Sequence, residues 1–180
     1  MDQQFNYWLS VRNSGSNLRN LIIIFALLAS GALYGQGQPA PEKIKADVVS
    51  VQNAVNDVVG STVPFLGILQ GAKGAYLDGY GIVLNVEVAF DPPVTPFSPP
   101  RSPEEVRKTA TKKRADVQDK LTNVVKEKLP SLSSLAPGDS VAVILNILNT
   151  NPAYTPDMPA QIVLSAKKQD AEHVAVREFK

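Results

Sequence analysis

Residues 82–90 carry the pattern that most narrowly restricts the fold of this chain. Apolar side chains occupy every second position: Ile82, Leu84, Val86, Val88 and Phe90. Because successive side chains of a β-strand point to opposite faces of the sheet, this period of two predicts a strand with one buried face. Residues 78–81 precede it with two glycines, which predict a turn with positive backbone torsion angles. We expect the helices of the domain to pack on this strand.

Two segments have the apolar spacing of amphipathic helices. The first starts at Pro41, repeats valine and isoleucine at three- and four-residue steps, and is predicted to end at Gly60. The second starts at Ser102-Pro103-Glu104-Glu105, where serine as the cap and Glu105 three residues later match a capping box. Its apolar stripe continues to Pro130.

The remaining apolar stretches predict further strands. One strand is predicted at residues 63–70 and another begins at 75–77, with a turn between them at 71–74. Three more strands are predicted at 141–148, 160–166 and 173–179. Residues 141–148 are apolar on both faces except Asn146, which predicts a central strand buried on two sides. The order predicts an α+β fold: a mostly antiparallel sheet of four to six strands with two amphipathic helices on one face.

The N-terminal region has the charge order of an export signal. Residues 21–34 are apolar and uncharged, and Arg12 and Arg19 precede them. The run is shorter than the roughly 20 residues that span a bilayer comfortably, so a cleaved signal peptide is favoured over a retained anchor or a buried core helix. We predict an N-terminal hydrophobic helix, with a signal peptide or membrane anchor at 1–35, a linker at 36–41 and one α+β domain at 42–180.

Composition excludes several chemistries. The chain has no cysteine, and therefore no disulfide, thiolate metal site or cysteine nucleophile, and His173 is its one histidine. Its 18 basic and 17 acidic side chains give a net charge of +1, so no global field attracts nucleic acid or an anionic membrane. We expect no metal, no cofactor, no nucleic acid, and membrane contact only through the N-terminal segment. The basic run 112–114 is interpreted as a solvated helix face, because acidic residues dilute it.

Four residues are binding candidates. Tyr76, Asp78 and Tyr80 surround the glycine turn, where exposed amides and tyrosine rings are suited to a ligand. Phe97 lies in the proline-rich residues 91–103, which form either a stiff crossover or a surface strap that docks on a partner. No residue is predicted to be catalytic.

The sequence favours an exported domain, periplasmic or extracellular, without catalytic activity, that binds another envelope protein. One alternative is a hydrolase-like enzyme that uses Asp78, Glu87 and Asp91, since paired carboxylates perform acid–base chemistry when their pKa values differ. The other is a carrier of small apolar ligands that uses Tyr76 and Tyr80.

Overall fold

The computed structural model describes residues 40–91 and 101–180, and it confirms the α+β class. The helices and strands follow one another in this order: α1 Pro41–Thr62, β1 Ile68–Leu77, β2 Gly81–Val88, α2 Pro103–Lys128, β3 Ser140–Ile147, β4 Gln161–Lys167 and β5 Ala175–Phe179. Short 3-10 helices occur at Phe65–Gly67, Leu129–Ser131 and Lys168–Asp170.

The five strands form one mostly antiparallel sheet in the order β1-β2-β3-β4-β5. Its central pair, β2 and β3, is parallel, and the other three pairs are antiparallel. Parallel neighbours require a long crossover, which α2 provides here. The carboxyl ends of β2 and β3 therefore lie at the same edge of the sheet, where the loops after both strands meet.

The core joins both helices to the sheet. Its fully buried members include one stripe of each helix and the alternating side chains of the inner strands: Val51, Val55, Val59, Val117, Leu121, Ile82, Leu84, Val86, Val143, Leu145, Ile162 and Leu164. Burying one such side chain contributes about 1.5–3 kcal/mol. The prediction that β3 is buried on both faces holds only in part, because Ala142 is buried on the second face whereas Ile144 and Asn146 are half-buried.

Helix α1 covers β1 and its backbone. The side-chain oxygens of Asn56 and Gln52 accept hydrogen bonds from the backbone N–H groups of Ala72 at 2.7 Å and Gly74 at 3.0 Å. These bonds satisfy edge-strand donors that another strand would otherwise pair with. The prediction of a turn at 71–74 is wrong, because β1 runs through these residues. A Cβ on Gly74 would lie 2.7 Å from Val48 Cγ1, so glycine at this position permits the close approach of α1.

Helix α2 begins with the predicted capping box. Ser102 Oγ accepts a hydrogen bond from Glu105 N at 3.2 Å, and Glu105 Oε2 accepts one from Ser102 N at 2.8 Å. The hydrogen bonds from the Ser102 backbone and then its side chain lower the pKa of Glu105 below its ordinary value of 4.5. The folded pKa is thus the lower one, and this stabilisation is lost as the pH falls through it.

The predicted N-terminal hydrophobic helix lies in residues 1–39, outside the described residues, and the domain boundaries remain predictions. Neither α1 nor α2 combines the length and apolar character that a helix needs to cross a bilayer.

Candidate functional site

The hairpin turn between β1 and β2 holds three of the predicted binding residues. Gly79 and Gly81 have φ angles of 73° and 120°, which confirms the predicted positive torsions. Tyr80 is 39% exposed and Asp78 is exposed, while Tyr76 is half-buried. Burial, followed by the nearby Asp139 and Asp78, raises the pKa of Tyr76. The structure thus brings these three residues together, and their binding role remains a prediction.

The three carboxylates of the enzyme hypothesis do not come together. Asp78 precedes β2 and Asp91 follows it, and a strand of eight residues is roughly 26 Å long. Glu87 shares its sheet face with Asn146 rather than with the core. Asp78 is therefore too far from Asp91 for joint acid–base chemistry, and Glu87 lies on the sheet face away from the core. Phe97, the fourth predicted binding residue, lies outside the described residues.

A polar cluster gathers instead at the carboxyl ends of β2 and β3. Asp91 is only 6% exposed, and its Oδ1 lies 2.6 Å from Nη1 of Arg101 in an ion pair that lacks hydrogen-bond geometry. Asn151 Nδ2 donates a hydrogen bond to Asp91 Oδ2, and the Thr150 hydroxyl donates one to the Asp91 carbonyl. These contacts tie the end of β2 to the start of α2 and to the loop after β3.

The loop after β3 is closed on itself by side-chain hydrogen bonds. Asn149 Nδ2 donates to the Thr155 carbonyl at 2.9 Å, and Asn149 Oδ1 accepts from the Thr155 hydroxyl at 2.8 Å. The same hydroxyl lies 2.9 Å from the Asn151 carbonyl, and Thr155 is buried. The loop is therefore held in one conformation, and it places the following residues 156–158 beside α2.

A cavity of about 270 Å³ separates this loop from α2. Its lining combines basic, hydroxyl and apolar side chains: Arg107, Thr111, Arg114, Thr155, Pro156, Asp157 and Met158. Arg114 Nη1 lies 3.3 Å from Glu178 Oε2 of β5, whereas Arg114 Nε is buried and has no hydrogen-bond partner in the described part of the chain. We call this site the arginine cavity. It offers two guanidinium groups, those of Arg107 and Arg114, beside apolar surface.

An excess of basic side chains lies just before and in the first turns of α2, beside the arginine cavity. Part of this charge is offset, because Asp157 lines the cavity and Arg101 and Arg114 each pair with a carboxylate. Residues 101–114 contain six basic side chains, Arg101, Arg107, Lys108, Lys112, Lys113 and Arg114, against Glu104 and Glu105. Burial and then the neighbouring Arg101 lower the pKa of Lys113, while Asp91 acts in the opposite direction. A local positive potential attracts anionic groups even though the whole chain is nearly neutral.

Three exposed apolar side chains flank the end of β2. Phe65 is 88% exposed, Leu66 59% and Leu148 50%. The carbonyl of Gly67, next to Leu66, accepts a hydrogen bond from Ala89 N at 2.7 Å, and Leu148 N donates to the Val88 carbonyl at 2.8 Å. We call Phe65, Leu66 and Leu148 the apolar end. Of these three side chains, Leu148 adjoins the arginine cavity, because it lines a second, smaller cavity with Thr155 and Met158.

Sequence reasoning missed both surfaces for identifiable reasons. Phe65 and Leu66 fell inside a predicted strand, where large apolar side chains are expected to be buried. Arg107 and Arg114 are seven residues apart, which places them on one face of a helix, and this spacing was the available signal for the cavity.

The described residues, 40–91 and 101–180, contain no group of three or more histidine, aspartate or glutamate side chains that is placed to hold a metal ion. No protein-family model, curated protein or solved structure proved similar to this chain.

Proposed function

We propose that this chain is an exported domain without catalytic activity that binds another protein of the cell envelope through the apolar end and the arginine cavity. The observation that carries the proposal is the exposure of Phe65 and Leu66 on a well-anchored turn. The partner that suits the site is an acidic segment with interspersed apolar side chains.

The apolar end has the character of a binding surface rather than of ordinary protein exterior. Phe65 alone exposes 88% of its accessible area, and aromatic side chains are enriched at the centres of protein interfaces. The turn that carries it is held by the hydrogen bond from Gly67 N to Pro64 O at 2.7 Å and by that from Ala89 N to Gly67 O. A side chain presented on a rigid backbone loses little conformational entropy on binding, which favours affinity.

The charge beside the apolar end selects the chemistry of the partner. Leu148 adjoins the arginine cavity, and the first turns of α2 carry an excess of basic side chains. Complementary charge steers association and disfavours wrong partners. An acidic segment with apolar side chains satisfies both surfaces, with its leucine- or phenylalanine-like groups on Phe65 and Leu66 and its carboxylates towards α2.

A photo-crosslinking comparison tests the docking surface. The photoreactive amino acid p-benzoylphenylalanine replaces Phe65 in the full chain, expressed in its native host, and in a matched variant it replaces Tyr80. We expect irradiation to link position 65 to one envelope protein whose crosslinked peptide is acidic and contains apolar side chains. Position 80 lies at the other end of β2 and is expected to give no such adduct.

Each other outcome contradicts this surface. A specific adduct at position 80 but not at 65 favours the hairpin residues Tyr76, Asp78 and Tyr80 as the binding site instead. Adducts of the chain with its own second copy, or a crosslinked peptide without acidic residues, contradict the proposed partner chemistry. No adduct at position 65 contradicts the docking surface itself.

Export is tested with a phosphatase fusion. Alkaline phosphatase, which is active only outside the cytoplasm, is joined after Lys180 in a Gram-negative host, and we expect an active fusion. Replacing Ile23 and Leu27 with aspartate disrupts the apolar run and is expected to abolish the activity, because charged residues prevent insertion. An inactive parent fusion contradicts export, and mass spectrometry of the mature N-terminus distinguishes a cleaved signal peptide from a retained anchor.

A further inference from the structure

We infer that the arginine cavity binds a single carboxylate of the partner, held between Arg107 and Arg114. This inference rests on the proposed function, since it assigns one chemical group of the acidic partner to one site. It goes further in naming the residues that recognise that group.

Arg114 is the fixed recognition element. A guanidinium has five N–H donors, and the contact with Glu178 at 3.3 Å engages Nη1 while Nε remains buried without a partner. Because this Nε is enclosed by protein atoms, an incoming carboxylate accepts hydrogen bonds from the Nη groups, whose planar arrangement suits two parallel bonds. Because Glu178 holds the side chain, little further ordering is needed.

Arg107 supplies the second positive charge. It lies two turns before Arg114 on the same face of α2, with Thr111 between them, and all three side chains line the cavity. Arg107 is exposed, so it is available to approach a bound anion from the solvent side. The two arginines therefore enclose one anionic group rather than forming two separate sites.

The size and the walls of the cavity favour a carboxylate-bearing side chain or chain terminus. A volume of about 270 Å³ accommodates a carboxylate-bearing side chain. Pro156 and Met158 supply apolar wall for the methylene groups of such a side chain. Asp157 and Glu178 place two negative charges nearby, which partly offset the charges of the two arginines.

Fluorescence anisotropy tests the inference with defined probes. The full chain is placed in nanodiscs of zwitterionic lipid and titrated with a labelled eight-residue peptide that alternates glutamate with leucine. We expect this peptide to bind and its glutamine counterpart to bind at least tenfold more weakly, because only the carboxylates pair with the arginines.

Two substitutions in the cavity and one outside it complete the test. Arg107→Ala and Arg114→Lys are each expected to weaken binding of the glutamate peptide about tenfold. Lysine keeps the charge opposite Glu178 but loses the planar guanidinium, so Arg114→Lys isolates the donor geometry. Arg177→Ala is the matched control, because Arg177 is exposed on the opposite face of the sheet, beside Val163, and its loss changes the net charge equally.

The outcomes separate this inference from the proposed function. If both arginine variants bind like the parent while Phe65→Ser weakens binding, the carboxylate site is wrong and the docking surface stands. If Phe65→Ser also has no effect, both are contradicted. Displacement of the peptide by inorganic phosphate at a lower concentration than by succinate overturns the choice of carboxylate. Thermal melts confirm folding, and if Arg114→Lys unfolds, Arg107→Ala alone decides.

Discussion

Replacing Gly81 with alanine is expected to destabilise the domain by about 4 kcal/mol. Gly81 has a φ of 120°, a conformation that L-residues rarely adopt, and a Cβ there would lie 2.2 Å from the carbonyl oxygen and 2.9 Å from the nitrogen of Ser140. These atoms belong to backbone, so no side-chain rotation relieves the overlap. Gly81 pairs with Ser140 in the first register position of β2 and β3, so the clash separates the two central strands where they start.

Urea unfolding followed by circular dichroism measures this effect. A domain of this size is stable by roughly 5–15 kcal/mol, so Gly81→Ala removes a large fraction of the total. Two glycines of the same chain serve as controls. Gly79 has a φ of 73° with open space around its Cβ position, so we expect Gly79→Ala to lower the free energy of unfolding by about 1 kcal/mol from backbone strain alone. Gly138 has open space and no positive φ, so we expect Gly138→Ala to change the stability little. A Gly81→Ala protein as stable as the Gly138→Ala protein contradicts the close approach.

The features that were predictable from the sequence are those set by local geometry. The alternation from Ile82 onwards, the helical spacing after Pro41 and the capping box at Ser102 each depend on residues close in sequence, and all three elements exist in the structure. The positive torsions of Gly79 and Gly81 were predictable for the same reason, because a turn entering a strand constrains only its own residues.

The features that were missed depend on contacts between distant segments. Residues 71–74 resemble a turn locally, but Gly74 lets α1 approach, and Gln52 and Asn56 satisfy the backbone there. Similarly, nothing near Phe65 in the sequence shows that its turn lies at the outer end of the sheet. The arginine cavity needs both α2 and the loop after β3, whose meeting depends on the parallel pairing of β2 with β3.

Replacing Asp91 with alanine is the second large effect, an expected loss of about 3 kcal/mol of stability. Asp91 is 6% exposed, and the substitution leaves Asn151 Nδ2 without its acceptor and Arg101 without its counter-ion. Arg101→Ala is expected to cost at least as much, because it leaves behind a buried carboxylate without a counter-ion, whereas Asp91→Ala leaves an arginine that is 31% exposed and can be solvated. Asp57→Ala, on an exposed face of α1, is the control with little expected effect.

A double-mutant cycle separates the ion pair from the hydrogen bonds. Urea unfolding of Asp91→Ala, Arg101→Ala and the double variant gives the coupling between the two side chains, and we expect the double variant to lose about 1 kcal/mol less than the sum of the single losses. Additive losses contradict a direct ion pair.

Because Asp91 also ties the loop after β3 to β2, Asp91→Ala is further expected to weaken binding of the glutamate peptide although it leaves both cavity arginines in place. Unchanged binding in a folded Asp91→Ala protein would mean that the bonds between Asn149 and Thr155 are sufficient to shape the cavity.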